Sequence, residues 1–341
     1  MATVGIAGIG IYLPEGRMTA KEIAEETEGL WSEQAVMDKL GIVTKTMPGK
    51  NDGTQEMGAL AAIDAMRQSG IEGKDIDVVL CIGEEWKEYP LTTSALYLQH
   101  RVGAENAWGI DLANRCCTSV STLKIAKDML LADDEINTIL VAGGYRNSDL
   151  VDFTDGNMSM MYNLGAGGGA VILKKNHKNN ELLGSHIIGD GSLARTAGVE
   201  IGGTCHPITP ENYQDGNKLR LMDPEKMKNR LNKVSMDNWY RCIDRALEKS
   251  GYDRSDIDYL SVLHMKRSGH LQMLKTLGLK EEQSIFLEDY GHIGQIDQIL
   301  SLKLAIDQGK VREGSVVCMV AAGIGYVWAA NVIKWGKIGE K

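Results

Sequence analysis

The second half of this chain repeats features of the first, and that repeat is the strongest constraint on how it can fold. Ala65-Met66-Arg67-Gln68-Ser69-Gly70, followed by Asp75-Ile76-Asp77, returns 181 positions later as Ala246-Leu247-Glu248-Lys249-Ser250-Gly251, followed by Asp256-Ile257-Asp258. Leu123-Lys124-x-Ala126-x-Asp128 returns as Leu302-Lys303-x-Ala305-x-Asp307 at an offset of 179. Ile139-Leu140-Val141-Ala142-Gly143-Gly144 returns at the same offset as Cys318-Met319-Val320-Ala321-Ala322-Gly323. Each block alone is a generic helix–turn–strand similarity. Three blocks in one order at nearly one offset imply two homologous halves about a pseudo-twofold axis, which we divide as residues 1–176 and 177–341.

Short apolar runs at 4–11, 78–83, 138–143, 169–173, 259–264, 316–321 and 327–335 read as strands. Between them, 54–68, 91–101, 118–131, 224–249, 271–277 and 295–308 read as helices. Continuous apolar strands alternating with helices specify an α/β architecture with buried sheets. The run 107–112 reads as one more buried strand. Residues 189–223, rich in Gly, Pro and Asn, read as a long irregular excursion suited to covering a substrate. The 341 residues are 43% hydrophobic and 24% charged, a globular balance. A net charge of -9 without a basic cluster argues against nucleic acid or an anionic membrane as a partner. The N-terminus has neither the charged start nor the cleavage site of a secretory signal, and no apolar run reaches membrane-spanning length. Six cysteines without framework spacing fit a reducing cytoplasm, and the absence of paired CxxC or HExxH leaves a metal without support.

Chemistry concentrates at Asp111–Ser119, where an apolar run breaks at a polar turn and resumes as a helix. A cysteine at that junction meets free helix N–H groups and the positive end of the dipole, both of which favour a thiolate. Cys116 and Cys117 both fit on these grounds. The repeat supplies partners for either of them. His264 falls opposite Gly83 at the end of the equivalent strand, and His292 lies in the turn before the helix that repeats the cysteine helix. If the strand ends of the two halves face each other, these side chains converge, as ligand-binding groups do beyond carboxyl strand ends in α/β sheets. His270 competes with His264 for this role. Glu84 and Glu85 follow the 78–83 run, where a carboxylate in a half-buried cleft can act as acid or base.

Asp111-x-x-Asn114-x-Cys116, followed by a helix, resembles the nucleophile turn of the thiolase superfamily. The nearest branches are the ketoacyl synthase III-like and 3-hydroxy-3-methylglutaryl-CoA synthase enzymes. The cysteine stands five residues after the aspartate in that motif, which selects Cys116 and leaves Cys117 to packing. Gly8-Ile9-Gly10-Ile11-Tyr12-Leu13-Pro14, Lys39-Leu40-Gly41-Ile42, Gly165-Ala166-Gly167-Gly168-Gly169-Ala170 and Asp190-Gly191-Ser192 continue the likeness. So do Tyr290-Gly291-His292 and Gly323-Ile324-Gly325-Tyr326-Val327-Trp328. The resemblance implies a five-layered αβαβα thiolase fold and a homodimer. It also implies Claisen condensation of acyl thioesters through an acyl-Cys116 intermediate, with coenzyme A or acyl carrier protein as carrier and no other cofactor. By the same resemblance, Gly325 and Cys116 lend backbone N–H groups to an oxyanion hole. Glu85 corresponds to the general acid/base of the hydroxymethylglutaryl-CoA synthases. Trp31 and Lys39 stand in for a coenzyme-binding tryptophan and arginine.

Two departures matter. His264 is followed by Met265-Lys266-Arg267 where synthase III enzymes have Gln-Ala-Asn, and His292 stands where they carry asparagine. A Cys-His-His set resembles the elongating ketoacyl synthases and, at the second histidine, the Gly-His motif of the thiolases. Two N–H donors can hold a thioester enolate formed by decarboxylation or by deprotonation. The alternatives are therefore a non-decarboxylative thiolase- or hydroxymethylglutaryl-CoA synthase-like condensation, simple acyl transfer assisted by Glu85, and a non-catalytic thiolase-fold partner subunit. The glycine run 165–169 lacks the GK[ST] ending and precedes a strand, which argues against nucleotide binding.

Overall fold

The computed structural model describes residues 2–83, 86–324 and 326–337. Its first half contains β1 (Val4–Tyr12), α1 (Thr54–Ser69), β2 (Val78–Cys81), α2 (Ser94–Arg101), β3 (Trp108–Asp111), α3 (Thr118–Ala132), β4 (Thr138–Tyr145) and β5 (Gly167–Lys175). The second contains β6 (Asn179–Gly189), α4 (Pro224–Ser250), β7 (Tyr259–Val262), α5 (Arg267–Leu277), α6 (Asp297–Asp307), β8 (Val316–Gly323) and β9 (Val327–Lys337).

The repeated sequence blocks form matching local structures. Helices α1 and α4 end at Gly70 and Gly251, at φ of 69° and 76°, the left-handed conformation that stops a helix and that glycine adopts without strain. Just before each stop, a serine hydroxyl donates back one turn, Ser69 to the Ala65 carbonyl at 2.9 Å and Ser250 to the Ala246 carbonyl at 2.7 Å. The following aspartates do equivalent work. Asp77 accepts from the Thr138 N–H at 2.9 Å, tying the starts of β2 and β4, and Asp258 accepts from the Val316 N–H at 2.8 Å, tying β7 and β8. The third pair gives one i,i+4 ion pair on each inner helix, Lys124 with Asp128 on α3 and Lys303 with Asp307 on α6.

The nine strands run in the order β3-β2-β4-β5-β1-β6-β9-β8-β7. In the first half, β2 is parallel to β3 and β4, while β4–β5 and β5–β1 are antiparallel. The second half repeats this with β7 parallel to β8, then antiparallel steps through β9 to β6, and among the described residues it has no equivalent of β3. The halves meet edge to edge at the single pair Gly5↔Glu181. Helix α1 covers β1, β4 and β5 from outside, and α4 covers β6, β8 and β9 on the other side. Between them, α3 packs on β4, β5 and β9, and α6 on β1 and β7, which gives the αβαβα layering. Central strands are therefore covered on both faces, and β4 is buried along its whole length. Close packing is set by small residues: a Cβ added at Gly58 of α1 would lie 2.7 Å from the Gly143 Cα in β4.

Several elements differ from the sequence reading. The 107–112 run is an edge strand, with Trp108 51% and Ile110 45% exposed. It looked buried because apolar content alone cannot tell a covered strand from an uncovered edge. Strand β6 was not expected at all. Polar residues interrupt it and most of it is half-buried, so it carries no continuous apolar run. Helix α2 starts later than read, at Ser94, and α5 earlier, at Arg267. The 189–223 excursion holds a small ribbon, Ala197–Val199 paired with Leu219–Leu221. Among the described residues, no helix is long and apolar enough to cross a membrane, and no group of three or more His, Cys, Asp or Glu is gathered as metal ligands.

Candidate active site

The nucleophile turn is fixed by its own polar residues. Asp111, ending β3, accepts from the N–H groups of Ser94 and Ala95 at 3.0 and 2.8 Å and from Lys87 Nζ at 2.5 Å. It thereby holds the start of α2 and the exit of β3 together. Beyond it, the Asn114 N–H donates to Thr118 Oγ at 2.8 Å, and that hydroxyl donates to the Arg115 carbonyl at 2.6 Å. Arg115 takes φ of 52°, a left-handed conformation that costs a non-glycine residue energy and that the surrounding bonds maintain. A single 3₁₀ turn, Arg115–Cys117, then leads into α3. Cys116 is half-buried on this bend, while Cys117 is fully buried and donates its Sγ–H to the Val327 carbonyl at 3.1 Å. Gly323, ending β8, comes so close that a Cβ on it would lie 3.0 Å from the Cys116 nitrogen.

His292 Nε2 lies 3.2 Å from Cys116 Sγ, and its Nδ1 lies 2.6 Å from Asp297 Oδ2. Asp297, at the start of α6, is wholly buried. Its carboxylate also accepts from the backbone N–H of His264 at 2.8 Å and of Ile293 at 2.7 Å. Burial alone would discharge His292. The charges of Asp297 and of the Cys116 sulfur outweigh it, so the imidazolium persists well above the usual histidine range. His264 goes the other way: burial lowers its pKa to about 4 despite Asp297, and the ring is neutral. Its tautomer follows from its partners. The Gly41 carbonyl, 3.2 Å from Nε2, can only accept, so Nε2 carries the proton. Nδ1 must then accept, and Asn163 presents its amide NH₂ there at 3.1 Å.

Cys116, His264, His292 and Asn163 all line one cavity of about 1050 Å³. The excursion contributes to its wall, including Gly198, Val199 and Leu219. His270 is not among the lining residues. It is buried on α5 with its ring against Phe286 at 5.3 Å, and burial lowers its pKa to about 4. Trp31 and Lys39 do not line the cavity either. Lys39 Nζ sits 5.6 Å over the Trp31 ring, which packs edge-on against Tyr162. Glu85 and Gly325 lie outside the described residues. Glu88 does line the cavity, but its Oε1 accepts from the N–H groups of Gln55 and Glu56 at the start of α1.

Sequence reading missed Asp297 and Asn163. An aspartate opening an apolar helix looks like an ordinary helix-start residue. Its one distinguishing signal is the spacing His292-x₄-Asp297, which spans a turn whose shape only the fold supplies. Asn163 has no such signal, because its partner lies 101 residues away.

Residues 110–191 match the family model of 3-oxoacyl-[acyl-carrier-protein] synthase III, and residues 247–335 match the model of its C-terminal part. The chain is 26% identical over 341 residues to the beta-ketoacyl-[acyl-carrier-protein] synthase III of Syntrophomonas wolfei, covering 98% of each chain. Among solved structures, it superposes on beta-ketoacyl-[acyl carrier protein] synthase III of Thermus thermophilus with a TM-score of 0.85 at 24% identity. That match covers 98% of this chain and all of the other. It superposes on the priming beta-ketosynthase of the R1128 polyketide pathway with a TM-score of 0.84 at 19% identity, covering 98% of this chain and 97% of the other.

Proposed function

The chain belongs to the ketoacyl-[acyl-carrier-protein] synthase III-like branch of the thiolase superfamily, and from that premise we propose an acyltransferase that performs Claisen condensation of acyl thioesters through an acyl-Cys116 intermediate. The observation that carries this reading is the aligned set Cys116–His292–Asp297, with Sγ to Nε2 at 3.2 Å and Nδ1 to Oδ2 at 2.6 Å. The Cys116 proton rests on His292 as the imidazolium, Sγ attacks the thioester carbonyl, and the imidazolium gives that proton to the departing thiolate of the carrier. Asp297 stabilises the charge on His292 throughout. In the second half-reaction a malonyl thioester loses carbon dioxide, and its enolate attacks the acyl carbonyl. Cys116 leaves as a thiolate and recovers its proton from water through His292. Water first protonates the His292 Nε2 left bare by the departing carrier thiol; that N–H and the N–H of neutral His264, which exchanges the Gly41 carbonyl for it, then hold the enolate oxygen.

Decarboxylation is favoured over deprotonation because, among the described residues, the carboxylate that lines the cavity, Glu88, is already engaged by helix N–H groups. We assign the Cys116 N–H, which Gly323 approaches closely, to the oxyanion hole, and carry Gly325 over to it from the family resemblance alone. Lys39 precedes Leu40, which lines the cavity, and its ammonium sits over the Trp31 ring; we assign both to the coenzyme A rim. We also read the chain as two halves, 1–176 and 177–341, a soluble cytoplasmic homodimer joined along β3, whose exposed Trp108 and Ile110 call for a cover. Acyl thioesters of coenzyme A or carrier protein act as substrates, with no resident cofactor.

The test is intact-mass measurement after incubation with acyl-CoA. Wild type gains the acyl mass and Cys116→Ala does not; retained acylation in the variant sinks the assignment. Supplying malonyl against acetyl thioesters as the second substrate distinguishes decarboxylative from non-decarboxylative condensation.

A further inference from the structure

Resting on the condensation reading, we propose that Asn163 is a positioning residue that keeps the Nε2 proton of His264 in place for carbon–carbon bond formation, with little part in loading Cys116. Its main-chain carbonyl accepts from the His292 N–H at 2.8 Å, and its side-chain NH₂ donates to His264 Nδ1 at 3.1 Å. One residue thus touches both histidines, through different atoms. The backbone around it is tied down independently of its side chain. The Gly165 N–H donates to the His292 carbonyl at 2.9 Å, Leu164 pairs with His292 in a parallel bridge, and Lys45 Nζ holds the Tyr162 carbonyl at 2.8 Å. A change of the Asn163 side chain leaves all of these bonds available, the one to His292 included.

The side chain matters once substrate arrives. At rest the Gly41 carbonyl already demands a proton on His264 Nε2, so the tautomer does not need Asn163. An enolate oxygen takes that N–H away from Gly41. From then on the Asn163 NH₂ is, among the described residues, the donor that keeps Nδ1 bare, and a neutral ring with Nδ1 accepting must carry its proton on Nε2. Without it the proton can pass to Nδ1 through water, and the enolate meets a lone pair. The amide is held this way at a cost. Asn163 is 8% exposed, and its Oδ1 has no hydrogen-bond partner among the described residues, which destabilises a fold. Turning the amide over gives no relief, because Oδ1 would then face the bare Nδ1. An apolar residue of similar size would avoid the orphaned carbonyl altogether, so the amide is explained by its service to His264.

The test separates the half-reactions on the full chain. Cys116 is loaded with whichever saturated acyl-CoA, acetyl to decanoyl, gives a mass adduct on wild type. The acyl-enzyme is then mixed with malonyl-CoA or malonyl carrier protein, and the 3-oxoacyl product is followed. Asn163→Leu, close in size and without a donor, should load within about threefold of wild type. At saturating malonyl thioester it should condense about a hundredfold more slowly, the loss expected for one donor to a developing oxyanion. Asn163→Asp keeps the shape but offers an acceptor, which draws a proton onto Nδ1 while Nε2 keeps its own on Gly41. Asp297 favours the resulting charge and His292 and His270 oppose it, and all three are the same in both chains. Nitrogen-15 spectra of histidine-labelled chain at neutral pH, with His264 assigned by His264→Gln, should therefore show one protonated ring nitrogen in wild type and two in Asn163→Asp. Equal losses in loading and condensation for Asn163→Leu would make the residue merely structural and overturn the proposal, as would condensation at the wild-type rate. An unchanged His264 signature in Asn163→Asp overturns it too, and this readout stands even where the leucine variant does not fold. If wild type takes no acyl group or yields no 3-oxoacyl product, the condensation reading falls and this role with it, and a changed signature then leaves the hydrogen bond alone standing.

Discussion

Asp297 holds more of the site together than either histidine, because one carboxylate meets the His292 ring, the His264 backbone and the Ile293 backbone at once. Asp297→Asn keeps the shape and removes the charge, so it separates positioning from charge stabilisation. Acylation should fall about a hundredfold or more. The pH profile carries the diagnosis. In the wild type, Asp297 and the Cys116 sulfur keep His292 charged above the ordinary range. In the variant the imidazolium is lost at lower pH, and the pH profile of Cys116 alkylation by iodoacetamide moves with it. A uniformly slower reaction with an unchanged profile would make Asp297 merely structural. Sequence could reach Cys116, His264 and His292 because each sits at an element end that the repeat aligns. It could not reach Asn163 or the Gly41 carbonyl, since a hydrogen bond across 101 or 223 residues leaves no local pattern. Lys45 was equally silent. It is wholly buried, donates to the Tyr162 carbonyl at 2.8 Å and lies 4.8 Å over the Phe153 ring. Burial lowers its pKa to about 7. The unfolded chain keeps this proton to a pH of about 10.4, so it binds more protons than the folded chain between the two values, and stability rises with pH across that window. Below it both states are charged and the burial penalty is present in full. Lys45→Met removes this dependence. Urea titrations at pH 7 and pH 9.5 should show wild type gaining on the variant by a few kcal/mol at the higher pH. Parallel behaviour would mean that the ammonium is already well solvated.

At the scale of elements, the nucleophile bend and the end of β8 form one unit. Gly323 packs against Cys116, with a hypothetical Cβ 3.0 Å from its nitrogen and 3.1 Å from its Cβ. Contacts that tight force a neighbour to move, and a positional error of about 1 Å at a reacting atom can cost about a hundredfold. Gly323→Ala should therefore lose most acylation while its melting temperature stays within a few degrees of wild type. Normal acylation would show that the bend yields freely. The sequence identified this turn as glycine-rich without revealing what approached it. The same limit explains β3 and β6. Runs such as 138–143 were read correctly because strands covered on both faces are apolar throughout. An edge strand can be just as apolar for a different reason, and a half-buried strand hides in mixed residues. The excursion shows where composition suffices in part: residues rich in Gly, Pro and Asn form, together with the unforeseen ribbon, a wall of the cavity, held by a salt bridge from Arg220 to Asp152 at 2.8 Å. Burial alone would raise the Asp152 carboxyl. The Thr154 hydroxyl, Arg220 and Lys218 outweigh that and hold it well below the usual carboxylate range.

For the whole molecule, the repeat explains most of the architecture and also exposes an asymmetry in the sheet. Both halves run through parallel and then antiparallel steps, but only the first ends in an extra strand, β3. That strand leaves unpaired N–H and C=O groups at a sheet edge flanked by Trp108 and Ile110, with Leu96 of α2 48% exposed nearby in sequence. An uncovered edge of this kind is a liability unless something pairs with it. A second copy of β3 would satisfy the backbone groups and bury both apolar side chains, and a twofold axis makes the patch its own complement. The nucleophile turn begins at Asp111, the last residue of that same strand, so pairing would brace the catalytic bend. Ile110→Lys sets two like charges against each other across such an axis. Light scattering after size exclusion should report a dimer for wild type and a monomer for the variant, with circular dichroism unchanged. Acylation should weaken with dissociation, and raising the concentration of the variant should restore part of it. A wild-type monomer with full activity would mean that β3 stands uncovered in solution and that the bend is rigid without a partner.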